Sequence, residues 1–216
     1  RLSLLGDVLR DRRCRPLMVT SSIAFPIMFV IQTVLGKKFL QDFGGLASAS
    51  AATVIMAMSA GNVLCVTLGG VLPQRFGGLR RPWIMLGASS VVAASACLLL
   101  GTWLKAPGWV FVLGYLLLSG SAFATPSNLT TIKVVSRPEA VAIAISLSNG
   151  LSYLGSGVIG QIGGVILASF RGEASETPSG IVYPHVAYLA LSGFLAVLSL
   201  VNFYFASRVP ETGKAR

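Results

Sequence analysis

The chain has 216 residues, of which 54% are hydrophobic and only 11% charged, whereas a soluble domain has about a quarter of its residues charged. That balance excludes an ordinary water-soluble domain and describes a chain solvated by lipid. Seventeen Lys and Arg against seven Asp and Glu give a net charge of +10, but the basic residues sit in short loops between apolar runs, a pattern of membrane orientation and not of nucleic-acid binding.

In chain order, the basic N-terminal segment "RLSLLGDVLRDRRCR" (residues 1–15) is expected in the cytoplasm. Six uncharged segments follow, at 16–36, 43–74, 82–104, 106–132, 140–170 and 177–207. Each exceeds the ~20 residues that cross a hydrocarbon core. A lipid-embedded segment must satisfy its own backbone, and these runs are too long and too unalternating for barrel strands. An all-α membrane protein is therefore predicted, with a six-helix bundle over 16–208 and a short cytoplasmic tail over 209–216. The first apolar run is 21 residues long and lacks a small-residue cleavage pattern, so a cleaved signal peptide is not expected.

Orientation follows from the basic residues on alternate sides. One side holds Arg1, Arg10, Arg12, Arg13, Arg15, Arg75, Arg80, Arg81, Lys133, Arg137, Arg208, Lys214 and Arg216, thirteen in all; the other holds the four at Lys37, Lys38, Lys105 and Arg171. The richer side is predicted to be cytoplasmic, with both termini on it. Cys14, Cys65 and Cys97 are widely spaced and contain no C-x-x-C, so neither a disulfide framework nor a metal site is expected, and no cofactor is implied.

Within the spans, Pro26 and Pro126 remove backbone donors and should bend the first and fourth helices. In the fifth, Ser156, Gly160 and Gly164 form a small-xxx-small row suited to close helix packing. Ser146, Asn149, Tyr153 and Ser156 share a second, polar face of that helix. The segments 60–72 and 154–166 share four identities in thirteen positions: Gly61 with Gly155, the two double glycines, and the valine that follows. They occupy the middle helices of two three-helix units that run oppositely across the membrane, the arrangement of an inverted repeat.

The stretch "GGVLPQRFGGLRRP" (69–82) places three arginines, four glycines and two prolines between two uncharged runs. It resembles the loop motif Gly-x-x-x-Asp-Arg-x-Gly-x-Arg-Arg of the major facilitator superfamily: Gly70, Arg75 and Gly77 fall on the motif, and Arg80 and Arg81 supply the basic pair one residue late. Gln74 stands at the Asp position, so the full charge latch of the family is not expected. "RVPETGK" (208–214) is similar to the tail after the twelfth helix of such transporters. The resemblance implies helices seven to twelve: a C-terminal six-helix half built as a 3+3 inverted repeat. Its partners would be the lipid bilayer, a small-molecule solute and the N-terminal six-helix half, in a bacterial inner membrane. The function implied is movement of a small solute by alternating access. A non-transporting scaffold or receptor-like relative of the same fold is the alternative.

No charge lies within a span, which leaves uncharged polar groups to bind a solute. The resemblance puts the first and fourth helices on the central cavity and the second and fifth at its sides. Phe25, Phe29 and Gln32 then form a lining stripe, with Asn62, Asn128, Asn149 and Tyr153 as further candidates; interhelical hydrogen bonding is the competing use of each polar one. Gln161 is a further uncharged polar residue. An enzyme is not expected. "GSG" (155–157) with His185 could mimic the serine–histidine pair of an intramembrane protease, but His185 belongs at the start of the sixth span and Ser156 midway along the fifth. Mitochondrial-carrier and aquaporin motifs do not occur, and "NLT" (128–130) lies inside a span, where it would not accept a glycan.

Overall fold

Where no water can satisfy a backbone amide, long apolar runs resolve into helices that bond internally. A computed structural model of the chain describes residues 2–177 and 180–213; Arg1, Lys214 and Arg216 of the basic count, and Ser179 in the loop before the sixth span, lie outside the described residues. The six helices long and apolar enough to cross a membrane are Cys14–Thr33, Ser48–Arg75, Arg81–Trp103, Gly108–Val135, Pro138–Ala168 and His185–Ser207.

A short helix α1 (Leu2–Arg10) precedes the spans and buries Val8 among them. The first span is α2 (Cys14–Val30), a π-helical turn (Ile31–Leu35) and α3 (Gly36–Asp42). The second is α4 (Ser48–Arg75) and the third α5 (Arg81–Trp103). The fourth divides into α6 (Gly108–Ser119), a 3-10 turn (Gly120–Phe123) and α7 (Ala124–Val135). The fifth is α8 (Val141–Ala168) and the sixth α9 (His185–Ser207).

Several boundaries differ from the uncharged runs, the second span starting at Ser48 and not at 43 among them, and two show their cause. The first helix continues to Asp42, because Lys38 and Asp42 pair along it at 2.9 Å and extend it beyond the last apolar residue. The sixth begins at His185 and not at 177. The intervening residues include a hairpin of β1 (Ser175–Thr177) and β2 (Gly180–Val182), with Glu176 opposite Ile181. Gly180 and Pro184 favour turn and extended backbone there over helix.

The first and fourth spans, which carry Pro26 and Pro126, both change helix type. In the first, the π turn begins five residues after Pro26, and the Gly36 carbonyl beyond it accepts a hydrogen bond from Tyr115 Oη at 2.9 Å. In the fourth, Pro126 lies in the first turn of α7, directly after the 3-10 turn. Its missing N–H is tolerated there, because the first turn of a helix lacks intrahelical acceptors for its donors.

The bundle has an apolar cluster toward each end. One gathers Phe39, Phe111, Tyr188 and Leu191; the other gathers Leu17, Ile84, Ile132 and Val209. Helix α2 packs along α8 and also meets α9; α5 packs along α9 and the fourth span; α4 packs on the fourth span. Among the glycines of α8, Gly155 sits most tightly against α2: a Cβ there would press on the Ser22 carbonyl and lie 2.9 Å from Pro26 Cγ. On α4, a Cβ at Gly61 would lie 2.8 Å from Ser119 Oγ. The small-residue row therefore does less than expected. A Cβ at Gly160 would make ordinary contact with Val30 at 3.6 Å, whereas at Gly157 and Gly164 none of the described residues would come within 4 Å of one. The fifth helix is rotated so that Gly155 meets α2 most tightly, Gly160 of that row touches it at ordinary distance, and Gly164 turns away.

Candidate functional site

The gap between the two apolar clusters is a cavity of about 270 Å³, to which all six spans contribute. Its depth follows from helix geometry. Asn202 stands five residues before the end of α9 and Asn62 thirteen before the end of α4, or about 8 and 20 Å at 1.5 Å per residue. The cavity thus lies from the middle of the bundle toward the end that carries the Arg75–Arg81 loop.

Of the seven candidate lining residues, Phe25, Asn62, Asn128, Asn149 and Tyr153 border this cavity. Phe29 and Gln32 do not. Phe29 stacks on Phe25 with ring centroids 5.6 Å apart, and the Gln32 amide donates to Ser59 Oγ of α4, an interhelical bond. Phe25 also meets Tyr153 edge to face at 5.5 Å, which joins α2 and α8 at the cavity wall. Along the polar face of α8, Asn149 and Tyr153 reach the cavity. Ser146 is exposed, and Ser156 is buried with its hydroxyl donating to the Ser152 carbonyl at 3.0 Å. Gln161 is exposed and does not border the cavity.

A hydroxyl network sets the wall between α2, α7 and α8. Ser21 Oγ accepts from Asn128 Nδ2 at 2.6 Å and from Ser148 Oγ at 2.9 Å, and the Ser21 carbonyl accepts from Ser152 Oγ at 3.0 Å. These serines escape a search for large polar groups, although Ser148 and Ser152 stand at the i, i+4 spacing of one helix face. Asn202 is the other residue missed. It is 1% exposed and lines the cavity, yet neither its Nδ2 nor its Oδ1 has a hydrogen-bond partner among the described residues. An asparagine inside "SLVNFYF" is the sequence signal that could have found it.

The loop after α4 is shaped by Gly77 and Gly78, both at φ 76°, a left-handed backbone that costs other residues energy. Gly78 N closes the turn onto the Pro73 carbonyl at 2.7 Å. Arg75 ends α4, and Gly70 lies on its last turns, where a Cβ would be 4.0 Å from Pro126. Gln74 bonds back weakly to the Gly70 carbonyl at 3.5 Å.

The carboxylate missing at position 74 reaches this loop from the tail. Glu211 accepts from the backbone N–H of Arg80 at 2.9 Å and of Arg81 at 3.1 Å, which caps the N-terminus of α5. Arg80 also bonds Thr212 Oγ1 at 2.9 Å, and Arg81 bonds the Ser207 carbonyl at the end of α9 at 2.6 Å. Partial burial opposes charge on Glu211, but backbone donation from Arg80, Gly213, Arg81 and Thr212 outweighs it and holds the carboxyl below its usual range.

The opposite end is closed. Phe39, Phe43, Phe111 and Tyr188 interlock, Tyr188 Oη donates to Asp42 at 2.6 Å, and His185 Nε2 donates to the Thr102 carbonyl at 2.6 Å. Ser156 and His185 are thus each bonded to a backbone carbonyl on a different part of the bundle.

The six long apolar helices, and a cavity whose lining among the described residues carries no charge, define an integral membrane protein that is mainly helical. Comparison with known proteins finds no family model that matches the chain and no match among curated proteins.

Proposed function

We propose that the chain is one half of a major facilitator superfamily transporter, helices seven to twelve, which moves a small solute by alternating access with an N-terminal six-helix half. The carrying observation is the cavity, open and lined by all six spans with polar groups from five of them, where a scaffold would fill that space with bulky side chains. Helix neighbours support a 3+3 inverted repeat. Exchanging the first three spans for the last three turns the α2–α8 contact into that of the fourth span with α4, and leaves the α5–α9 contact between the units. The related glycines agree: Gly61 packs on the fourth span and Gly155 on the first.

In this reading no catalytic step occurs and no cofactor is held. The thirteen-to-four division of basic residues sets the Arg75–Arg81 loop and both termini in the cytoplasm of a bacterial inner membrane. Exposed Trp103 and Trp109 flank Lys105 at the other interface. The structure would then be open toward the cytoplasm, with the aromatic cluster closing the far side.

Single cysteines test this in inverted vesicles, with one at Gly78 marking the cytoplasmic face. A small hydrophilic thiol reagent should label cysteines at Asn149 and Tyr153, while those at Leu147 and Leu151, which pack toward the second apolar cluster, stay unreactive. Equal labelling at all four, or none, would overturn the cavity, and labelling of the Gly78 cysteine only from the opposite face would overturn the orientation.

A further inference from the structure

We propose that the cavity binds a neutral, hydroxyl-rich solute of monosaccharide or polyol type, and not a carboxylate or an amine. The proposal rests on the transporter reading and adds the chemistry of its cargo.

Among the described residues, no Asp, Glu, Lys, Arg or His lines the cavity. An ionic solute would therefore leave water for a low-dielectric wall with no counter-charge, which is costly. A neutral solute escapes that cost.

The wall is nevertheless far from apolar, and its hydrogen-bonding capacity is unequally spent. Thr20 donates to the Pro16 and Leu17 carbonyls, and Ser148 and Ser152 are bound to Ser21. The amides are only partly spent, since of Asn128 the Nδ2 alone is bonded. Among the described residues, Asn202, 1% exposed, leaves both its Nδ2 and its Oδ1 without partners; Asn128, 7% exposed, leaves its Oδ1; Asn62 leaves its Nδ2. Buried polar atoms are rarely left in this state without a ligand or water to satisfy them.

Asn62, Asn128 and Asn202 border one space from α4, α7 and α9, and between them leave two donors and two acceptors without a partner among the described residues. A hydroxyl is both donor and acceptor and rotates to suit either. A solute with several hydroxyls can answer all four atoms, whereas a carboxylate supplies only acceptors and an ammonium only donors. Phe25 and Tyr153, set edge to face at 5.5 Å, add apolar ring surface for the C–H face of such a molecule. The volume of about 270 Å³ is at the small end of ligand sites, which begin near ~300 Å³, and so suits a single small ring or chain.

The test uses the full chain in lipid nanodiscs with Asn149→Cys as reporter and reads how fast a hydrophilic maleimide labels it. The neutral probes are D-glucose, D-xylose, mannitol and myo-inositol; the charged probes are succinate and tetramethylammonium. At least one neutral probe should slow labelling saturably, and neither charged probe should. Adding Asn62→Ala, which alters a half-buried cavity residue, should raise the half-protecting concentration about tenfold, as loss of one hydrogen bond does. Asn202→Ser should weaken protection and Asn202→Leu abolish it. Protection by succinate or tetramethylammonium alone would overturn the solute class and leave the transporter reading intact. Free labelling with no protection by any probe would mean a cavity filled by water only and overturn the inference. A maleimide that never reaches position 149 would overturn the cavity, and the transporter reading with it.

Discussion

Replacing Gly155 by valine should separate α8 from α2, two helices that pack along each other. A Cβ at this position already presses on the Ser22 carbonyl and lies 2.9 Å from Pro26 Cγ. Neither neighbour is the loose end of a side chain: one is backbone and the other a proline ring. Valine adds two further methyl groups at the same place, so α8 must move off α2. Overpacking of this kind costs about 1–3 kcal/mol. Valine recovers only about 0.4 kcal/mol through better helix propensity, which leaves a net loss of roughly 0.6–2.6 kcal/mol. Gly157, two residues on, is the internal control. None of the described residues lies within 4 Å of a Cβ there, so Gly157→Ala should gain about 0.5–1 kcal/mol. For a chain of this length each kcal/mol moves the melting temperature by about 2–4 °C, and the two variants should melt roughly 2–14 °C apart. Thermal unfolding of both variants in one detergent measures this directly. A Gly155→Val protein that melts at or above Gly157→Ala would refute the assignment of Gly155 to the α2–α8 contact.

Glu211→Ala should expose the start of α5: loss of a helix cap costs about 0.5–2 kcal/mol, so hydrogen-exchange protection of the Arg80 and Arg81 amides should fall roughly 2- to 30-fold. Unchanged protection would show that the tail does not cap this helix. The Glu211 carboxyl is held below its usual range, so its contribution is complete above the ordinary glutamate value of about 4.3 and is lost as pH falls through the lower folded value. Protection in the unmodified chain should therefore persist through pH of about 4.3 and decline only below it; a decline centred well above that value would contradict the capping geometry. Gly77→Val places a β-branched residue at φ 76°, at a cost of about 1–2 kcal/mol. Membrane insertion should be unaffected because the arginines remain, while the melting temperature drops by roughly 2–8 °C, and an unchanged melting temperature would remove the conformational role of that glycine.

The position of the spans was legible in the sequence because exclusion of charge from lipid acts on each segment separately. Six uncharged runs and thirteen against four basic residues needed no knowledge of neighbours. The loop after α4 was legible for a similar reason, since left-handed backbone at Gly77 and Gly78 is a local demand. The rotation of each helix was not. When nearly every face of a helix is apolar, no amphipathic periodicity marks the side that meets another helix, and one residue of error turns a side chain by about 100°. Packing alone therefore decided that Gly155 and not Gly164 touches a neighbour, and that Gln32 bonds Ser59 instead of lining the cavity, whereas the polar face of the fifth span had already marked Asn149 and Tyr153 as cavity candidates. The same holds for contacts far apart in sequence. Glu211 meets Arg80 from 131 residues away, and Asn202 shares a cavity with Asn62 and Asn128. Pairings of that kind are properties of the assembled bundle, because the orientation of each helix is fixed only when all its neighbours are in place.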